Sequence, residues 1–568
     1  MDTGEHRRPC RARAEGGVHA AGSLGRGVRL GSALTATVFA AFRDAAHAWH
    51  DRPFLHVTDG TAERYNIAPG TLTYAEAAAE VSELTRRYRA AGYGVGHRVG
   101  LMLENRPAAI LHWMALNSLG ASVVPLNADL RAAELDHLVG HSGICLAVGA
   151  QPHLGRLQDA ADRRGDPFAV ASDGDKVPAA AAPPHAQVPD TTTECALLYT
   201  SGTTGKQKGC VLSNDYFLRC GRWYTEIGGL CTLRAGEDRL ITPLPMTHVN
   251  AMAYSTLAMV LTGGCVIPLD RFHPRNWWQT VRETKATILH SLGVMPTMLL
   301  GFEPSPDDRA HHVRFGFAPG VDPRYHAAFE DRFGIPMIDA WAMTETGAGA
   351  VVIASHEPRH IGRSCFGRAR PFMRYRIVDN AGADIADDTP GELLVRSAEA
   401  DPRTGFFSEY LGDSAATEAA WDGGWFHTGD VVRRDADENL FFVDRWKNVI
   451  RRSGENIAAA EVESVLRQYS QVREVACAAV PDNLRGEEVL ACIVPREPIT
   501  DLARVAGDIV AHVLGELAYF KAPGYVAFVD ALPLTATNKI QRGELKAWAR
   551  GLPGTPTCVD TRTLKRRT

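Results

Sequence analysis

From about Ala33 onward, short continuous runs of Val, Ile, Leu and Ala alternate with longer stretches whose apolar residues recur at helical spacing. Continuous apolar runs mark strands covered on both faces, so the pattern predicts an α/β fold with mostly parallel strands. Arg98–Leu103 and Ser122–Leu126 read as strands around an intervening helix. Leu72–Glu76 opens another helix, with Thr73 as N-cap because its hydroxyl can accept from first-turn N–H groups. The apolar window Met252–Pro268 is cut by Gly263 and Gly264 and holds Ser255, Thr256 and Thr262. It predicts a buried helix, a turn and a strand rather than a membrane span. Asp173–Pro189 is rich in Ala and Pro and reads as a surface linker between subdomains.

Past residue 360 the texture changes to hairpin-like strands, Tyr375–Val378 and Glu392–Arg396. After Arg445 follows a compact α+β segment that begins with the basic, Gly-punctuated turn Arg451–Asn456. The expected fold class is therefore α/β: a large N-terminal domain with mixed, mostly parallel sheets and helices, and a small mobile α+β C-terminal domain. The expected boundaries are a disordered extension at 1–32, an N-terminal domain at 33–445, a C-terminal domain at 446–550 and a loose tail at 551–568.

Composition excludes more than it assigns. With 61 basic and 66 acidic residues in 568, the near balance offers nothing to a nucleic acid or other polyanion. Eleven cysteines stand singly, without CxxC pairs or a His-rich cluster, which argues against zinc and against a disulfide scaffold and fits reduced cytoplasmic thiols. The Arg/Gly/Ala-rich start lacks an apolar core for secretion, and Asp2, Glu5 and Glu15 are unlike a transit peptide.

The chemistry gathers in a few stretches. Thr200-Ser201-Gly202-Thr203-Thr204-Gly205, with Lys206 and Lys208 after it, follows the apolar run Ala196–Tyr199. Such a loop turns tightly and presents N–H groups, hydroxyls and ammonium groups to phosphate oxygens. Its glycine spacing is not that of a Walker A loop. Taken alone it is a solvated turn; its ordered company argues otherwise. Along the chain come Pro245-Met246-Thr247-His248, then Phe317-Ala318-Pro319-Gly320, then Asp339-Ala340-Trp341-Ala342-Met343-Thr344-Glu345. Thr428-Gly429-Asp430, Asp444-Arg445-Trp446-Lys447, Ser453-Gly454-Glu455-Asn456 and Leu532–Arg542, which contains Lys539, complete the series.

In this order, over roughly residues 45 to 550, the motifs resemble those of the adenylate-forming superfamily, which includes acyl-CoA synthetases and peptide-synthetase adenylation domains. The resemblance implies that Thr200–Gly205 and Lys208 cradle the triphosphate of ATP, and that Ala318, Pro319, Gly320, Asp339, Ala340 and Trp341 lie about adenine. It implies that Thr344 bonds the α-phosphate, Glu345 holds Mg²⁺, and Asp430 and Arg445 meet the ribose. It places His248, Met252, Phe317, Trp341, Ala342 and Met343 about the acid, Lys447 at a hinge, and Ser453, Gly454 and Glu455 along a coenzyme A tunnel. Lys539 becomes the mobile lysine that neutralises carboxylate and phosphoryl charge. Locally, Asp444–Asn456 is most similar to the crotonobetaine/carnitine-CoA ligase-like branch.

Three departures stand out: Gln207 for a proline, Asn538 for a glycine, and Trp341-Ala342 for Tyr-Gly. None removes a charged group, so an active enzyme is expected, with the Ala342 methyl narrowing the acid pocket. The implied activity joins a small carboxylic acid to coenzyme A through an acyl-adenylate, releasing AMP and pyrophosphate. A carrier-protein thiol is the alternative acceptor, and a nucleotide-binding regulator without turnover is the alternative of another class. A homodimer is compatible with the sequence.

Overall fold

The computed structural model describes residues 36–130, 132–166, 168–200, 207–291, 294–445, 448–452, 455–482, 485–517, 519–534 and 540–565. The expected extension at 1–32 lies outside the described residues, as do the loop residues 201–206, Lys447, Ser453, Gly454 and Lys539.

Two seven-stranded sheets dominate the large N-terminal part. One runs 337–338, 315–317, 288–290, 239–242, 265–268 and 53–57, all parallel, and ends on the antiparallel edge strand 70–73. The other holds the parallel strands 169–172, 146–149, 98–102, 122–125 and 194–200, then the antiparallel 208–213 and 409–410. The expected α/β class with mixed, mostly parallel sheets is what the chain forms. Helix Pro107–Ser118, with Pro107 in its first turn, has every residue from Ala109 to Asn117 buried, as a helix packed on several sides requires. Thr73 caps helix Tyr74–Ala90 and Glu76 returns a bond to the Thr73 N–H, a complete capping box.

A five-stranded antiparallel sheet, ordered 365–367, 440–445, 426–434, 391–397 and 373–378, accounts for the hairpin texture past residue 360. The window Met252–Pro268 is helix Leu257–Thr262, a left-handed Gly263 and strand Cys265–Pro268. What periodicity did not anticipate is the π-helical opening, Asn250–Thr256. Asp173–Pro189 lies between strands 169–172 and 194–200 of one sheet, so it does not link subdomains. It is laid against the body by Ala180 N to Ala91 O at 2.7 Å and His185 N to Val95 O at 2.9 Å.

The smaller C-terminal domain has its own apolar core, built on strands 449–452, 455–458, 472–482, 486–495 and 525–528, with helices Ala459–Leu466 and Leu502–Glu516 against it. The expected loose tail at 551–568 is corrected over its described part. Cys558–Asp560 is a strand antiparallel to 525–528, Thr561 is buried, and Thr561 N bonds Gly524 O at 2.9 Å. Lys565 Nζ reaches the buried Glu488 at 2.6 Å, and Glu488 also holds Arg452 Nε at 2.8 Å. Burial first, then the positive charge of Arg452 and Arg485, pushes the Lys565 ammonium down to about 8 against the pull of Glu488.

Candidate active site

Strands Glu194–Thr200 and Lys208–Ser213 are antiparallel, with Thr200 opposite Lys208. The loop residues Ser201, Gly202, Thr203, Thr204 and Gly205 lie outside the described residues, so Thr200 and Lys208 mark its two bases. Both meet Glu345. Thr200 Oγ1 donates to Glu345 Oε1 at 3.4 Å, and Tyr410 Oη donates to the same oxygen at 3.0 Å. The Lys208 ammonium lies 4.5 Å from the Tyr410 ring centroid, a cation–π contact. Burial and the adjoining Glu345 carboxylate hold the Tyr410 phenol far above its ordinary value, so it remains a donor. Glu345 is 7 % exposed and, among the described residues, forms no ion pair. Its neighbour Thr344 is half-buried, with its carbonyl accepting from Tyr216 Oη at 2.8 Å.

Asp339 ties together the two segments expected about adenine. Its Oδ1 accepts from the N–H groups of Gly320 and Ala340, each at 2.9 Å. Burial pushes its carboxyl up to about 6 against those two donors. Ala318 is pinned by its N–H to Ile338 O, and Gly320 takes φ +74°, a left-handed conformation that suits glycine. Trp341 follows in the strand pair 340–341 with 352–353.

The Trp341 indole N–H donates to Asp430 Oδ2 at 2.8 Å. Arg445, opposite Asp430 in the strand pairing, brings Nε within 2.7 Å of Oδ1, but off the N–H axis, so that buried oxygen has no hydrogen bond. Asp430 is 1 % exposed; burial raises its carboxyl, opposed by Arg445 and Trp341. Trp341, Asp430 and Arg445 therefore form one corner with an acceptor to spare.

Of the residues expected about the acid, His248 and Ala342 are exposed, Met343 is half-buried, and Met252 and Phe317 are buried. Phe317 ends strand 315–317 and stacks on His290, ring centroids 4.9 Å apart. His290 is held by Tyr224 Oη at Nε2 and by Ser255 Oγ and Asn250 Oδ1 at Nδ1, each 2.8 Å.

Around the expected hinge, Asp444 accepts from Arg445 N at 2.7 Å and Asn448 Nδ2 at 3.2 Å on one oxygen, and from Ala460 N at 3.0 Å on the other. It spans Lys447 and ties the strand before it to the first turn of helix Ala459–Leu466. Glu455 stands opposite Arg452 in a hairpin. Lys539 is bracketed by a bridge between Leu534 and Ile540, with Arg542 clamped on the buried Glu463 at 2.5 and 2.8 Å. Tyr410, Tyr216, His290 and Asp444 carry no role in the sequence reading. Only Asp444 left a local signal, as the residue before Arg445.

The chain resembles known proteins along most of its length. The AMP-binding enzyme family matches residues 42–408, and the AMP-binding enzyme C-terminal domain matches 461–539. The chain is 30 % identical over 515 residues to a sulfoacetate–CoA ligase of Cupriavidus necator, covering 88 % of this chain and 95 % of the relative. A feruloyl-CoA synthase of Amycolatopsis is 32 % identical over 484 residues, 84 % of this chain and 93 % of the relative. A crotonobetaine/carnitine–CoA ligase of Escherichia coli is 29 % identical over 508 residues, 86 % and 94 %. In fold, the ATP-bound MatB of Rhodopseudomonas palustris superposes with a TM-score of 0.76 at 23 % identity, over 91 % of this chain and 99 % of that one. The Bacillus subtilis o-succinylbenzoate CoA synthetase gives 0.75 at 23 %, over 89 % and 97 %. Motif order, fold and relatives converge: the chain belongs to the AMP-binding enzyme family, within the adenylate-forming superfamily, as an AMP-forming acid–thiol ligase of acyl-CoA synthetase type.

Proposed function

We propose that the chain activates a small carboxylic acid with ATP at the corner formed by Thr200, Lys208, Thr344 and Glu345, and then passes the acyl group to coenzyme A. The observation that supports this best is the Glu345 carboxylate, buried and met by neutral donors, the hydroxyls of Thr200 and Tyr410 and the Cys210 thiol. A hard divalent cation prefers such an oxygen, so Glu345 fits as the holder of Mg²⁺. Bound there, the ion supplies charge neutralisation to the phosphates. Lys208 and the loop 200–205 grip the triphosphate, and Thr344 faces the α-phosphate. The unbonded Oδ1 of Asp430 accepts a ribose hydroxyl, with Arg445 beside it. Ala318–Gly320, Asp339, Ala340 and Trp341 flank the base.

Lys539 neutralises the attacking carboxylate and the transferring phosphoryl group, since two anions must approach one another before pyrophosphate leaves. His248 stands by the acid's carboxylate. The C-terminal domain then turns about Lys447, withdrawing Lys539 and bringing Ser453, Gly454 and Glu455 over the site for the thiol. The domain divides at 445/446 on this reading, in a reduced, cytoplasmic enzyme; among the described residues, no helix is long and apolar enough to cross a membrane.

The test is pyrophosphate release across a panel of acids, with and without coenzyme A. Lys539→Ala abolishes adenylation but spares thioester formation from supplied acyl-adenylate, whereas Gly454→Leu does the reverse. Equal loss of both half-reactions in Lys539→Ala removes its assigned role. Acyl transfer to a carrier-protein phosphopantetheine but not to coenzyme A overturns the acceptor.

A further inference from the structure

The floor beneath the acid differs in kind from the phosphate corner: it is made of rings already packed together. Tyr254 projects from the π-helical opening Asn250–Thr256 that also carries Met252, and its hydroxyl donates to Gly347 O at 3.1 Å. The side chain therefore bridges from that helix to the segment just past Glu345. Trp223 meets Tyr254 edge-on with centroids 5.5 Å apart, and Phe317 lies 6.3 Å from Tyr254 and 5.6 Å from Tyr224. His290 stacks against Phe317. Tyr254 and Phe317 are each 3 % exposed, and Tyr224 and His290 are sealed. A close-packed interior yields extra methylenes no room without shifting side chains off their rotamers.

The same floor has no charge to offer. His290 is saturated through both ring nitrogens, and burial alone pushes it down to about 3, so it is a neutral imidazole. A second carboxylate or a sulfonate laid on these rings would be desolvated without a counter-charge, which costs far more than burying a methyl group.

We propose that the acid is a short monocarboxylic acid with a compact, uncharged apolar tail, and that Tyr254 is the residue that limits its length. This rests on the reading of His248, Met252 and Phe317 as the acid's side of the site. On this proposal butyrate leaves the rings in place. Octanoate and ferulate must displace Tyr254, and sulfoacetate places a second anion on an apolar floor.

The experiment measures kcat/KM for pyrophosphate release by the full chain with ATP, Mg²⁺ and coenzyme A, using butyrate, octanoate, ferulate and sulfoacetate. The ratio between two acids is independent of how much enzyme is folded. The wild type prefers butyrate to each of the others by at least about tenfold, the scale on which a shaped apolar pocket discriminates. Tyr254→Ala shifts the octanoate-to-butyrate ratio upward by about tenfold or more. Tyr254→Phe keeps the ring and so keeps the butyrate preference. Should Tyr254→Ala fail to fold, the wild-type ratios still decide. A wild type that prefers octanoate, ferulate or sulfoacetate overturns the length and charge rule alone, as does an unchanged ratio in folded Tyr254→Ala. No release with any acid overturns the ligase reading, and this rule with it.

Discussion

Two glutamates, Glu345 and Glu488, are nearly sealed from solvent at 7 % and 1 % exposure, and they differ in what stands opposite them. Glu488 is surrounded by cations: Arg452 Nε lies 2.8 Å and Lys565 Nζ 2.6 Å away, and Val489 N donates at 2.9 Å. Glu345 meets the hydroxyls of Thr200 and Tyr410, while the nearby Lys208 ammonium sits on the Tyr410 ring instead. A buried carboxylate with two cations is internally balanced and serves the fold of its domain. One with only neutral donors carries unbalanced charge, at a cost to stability that makes sense where a cation is to be bound. Position in the sequence does not separate the two; their partners do.

The largest effect that would break this contrast is on folding. Glu488→Ala leaves Arg452 and Lys565 buried without a counter-charge and lowers the unfolding free energy by about 3–5 kcal/mol, read by urea denaturation. A loss within the noise of the measurement would mean that the triad is not structural. Next is Glu345→Gln, which keeps both hydroxyl contacts and removes the charge. Adenylation falls about 10²–10³-fold with the melting temperature unchanged or raised. A variant that keeps its Mg²⁺-dependent rate, or that melts early, would place Glu345 with Glu488.

The smallest effect sharpens the comparison through pH. The Lys565 ammonium, held at about 8 in the fold against 10.5 for the free side chain, loses its proton in the folded chain first. The unfolded chain then binds more protons between those two values, so stability rises with pH across that window. Relative to Lys565→Met, the gain is on the order of 2 kcal/mol, measured as unfolding free energy from pH 7.5 to 10.5. A parallel pair of curves would show that burial does not hold the Lys565 ammonium down in the fold.

Much of this architecture was legible from local pattern. Thr73 as a cap, the strands around helix Pro107–Ser118, the hairpins past 360 and the strand flanking the phosphate loop all follow from spacing and residue type. The corner of Trp341, Asp430 and Arg445 was legible as separate pieces, but not the indole N–H of Trp341 that occupies one oxygen of Asp430. Tyr410 could not be read at all. It reaches Glu345 because strand 409–410 joins the edge of 208–213, a pairing across nearly two hundred intervening residues that leaves no periodic trace. The ring floor was missed for a similar reason. Tyr224, Tyr254, His290 and Phe317 come from four elements, and each alone reads as an ordinary core residue. The Cys558–Asp560 strand was mistaken for a tail because it is too short and too polar at its ends to show alternation.

That short strand has a practical consequence for anyone shortening the gene. It is the outermost member of the C-terminal sheet and covers the hydrogen-bonding edge of strand Tyr525–Phe528. A version trimmed at Arg550 would uncover the row of N–H and C=O groups on Tyr525, Val526 and Ala527, beside the two apolar clusters that their side chains join. Such an open edge is a template for another chain, so the trimmed protein would be self-adhesive in solution even with every catalytic residue in place.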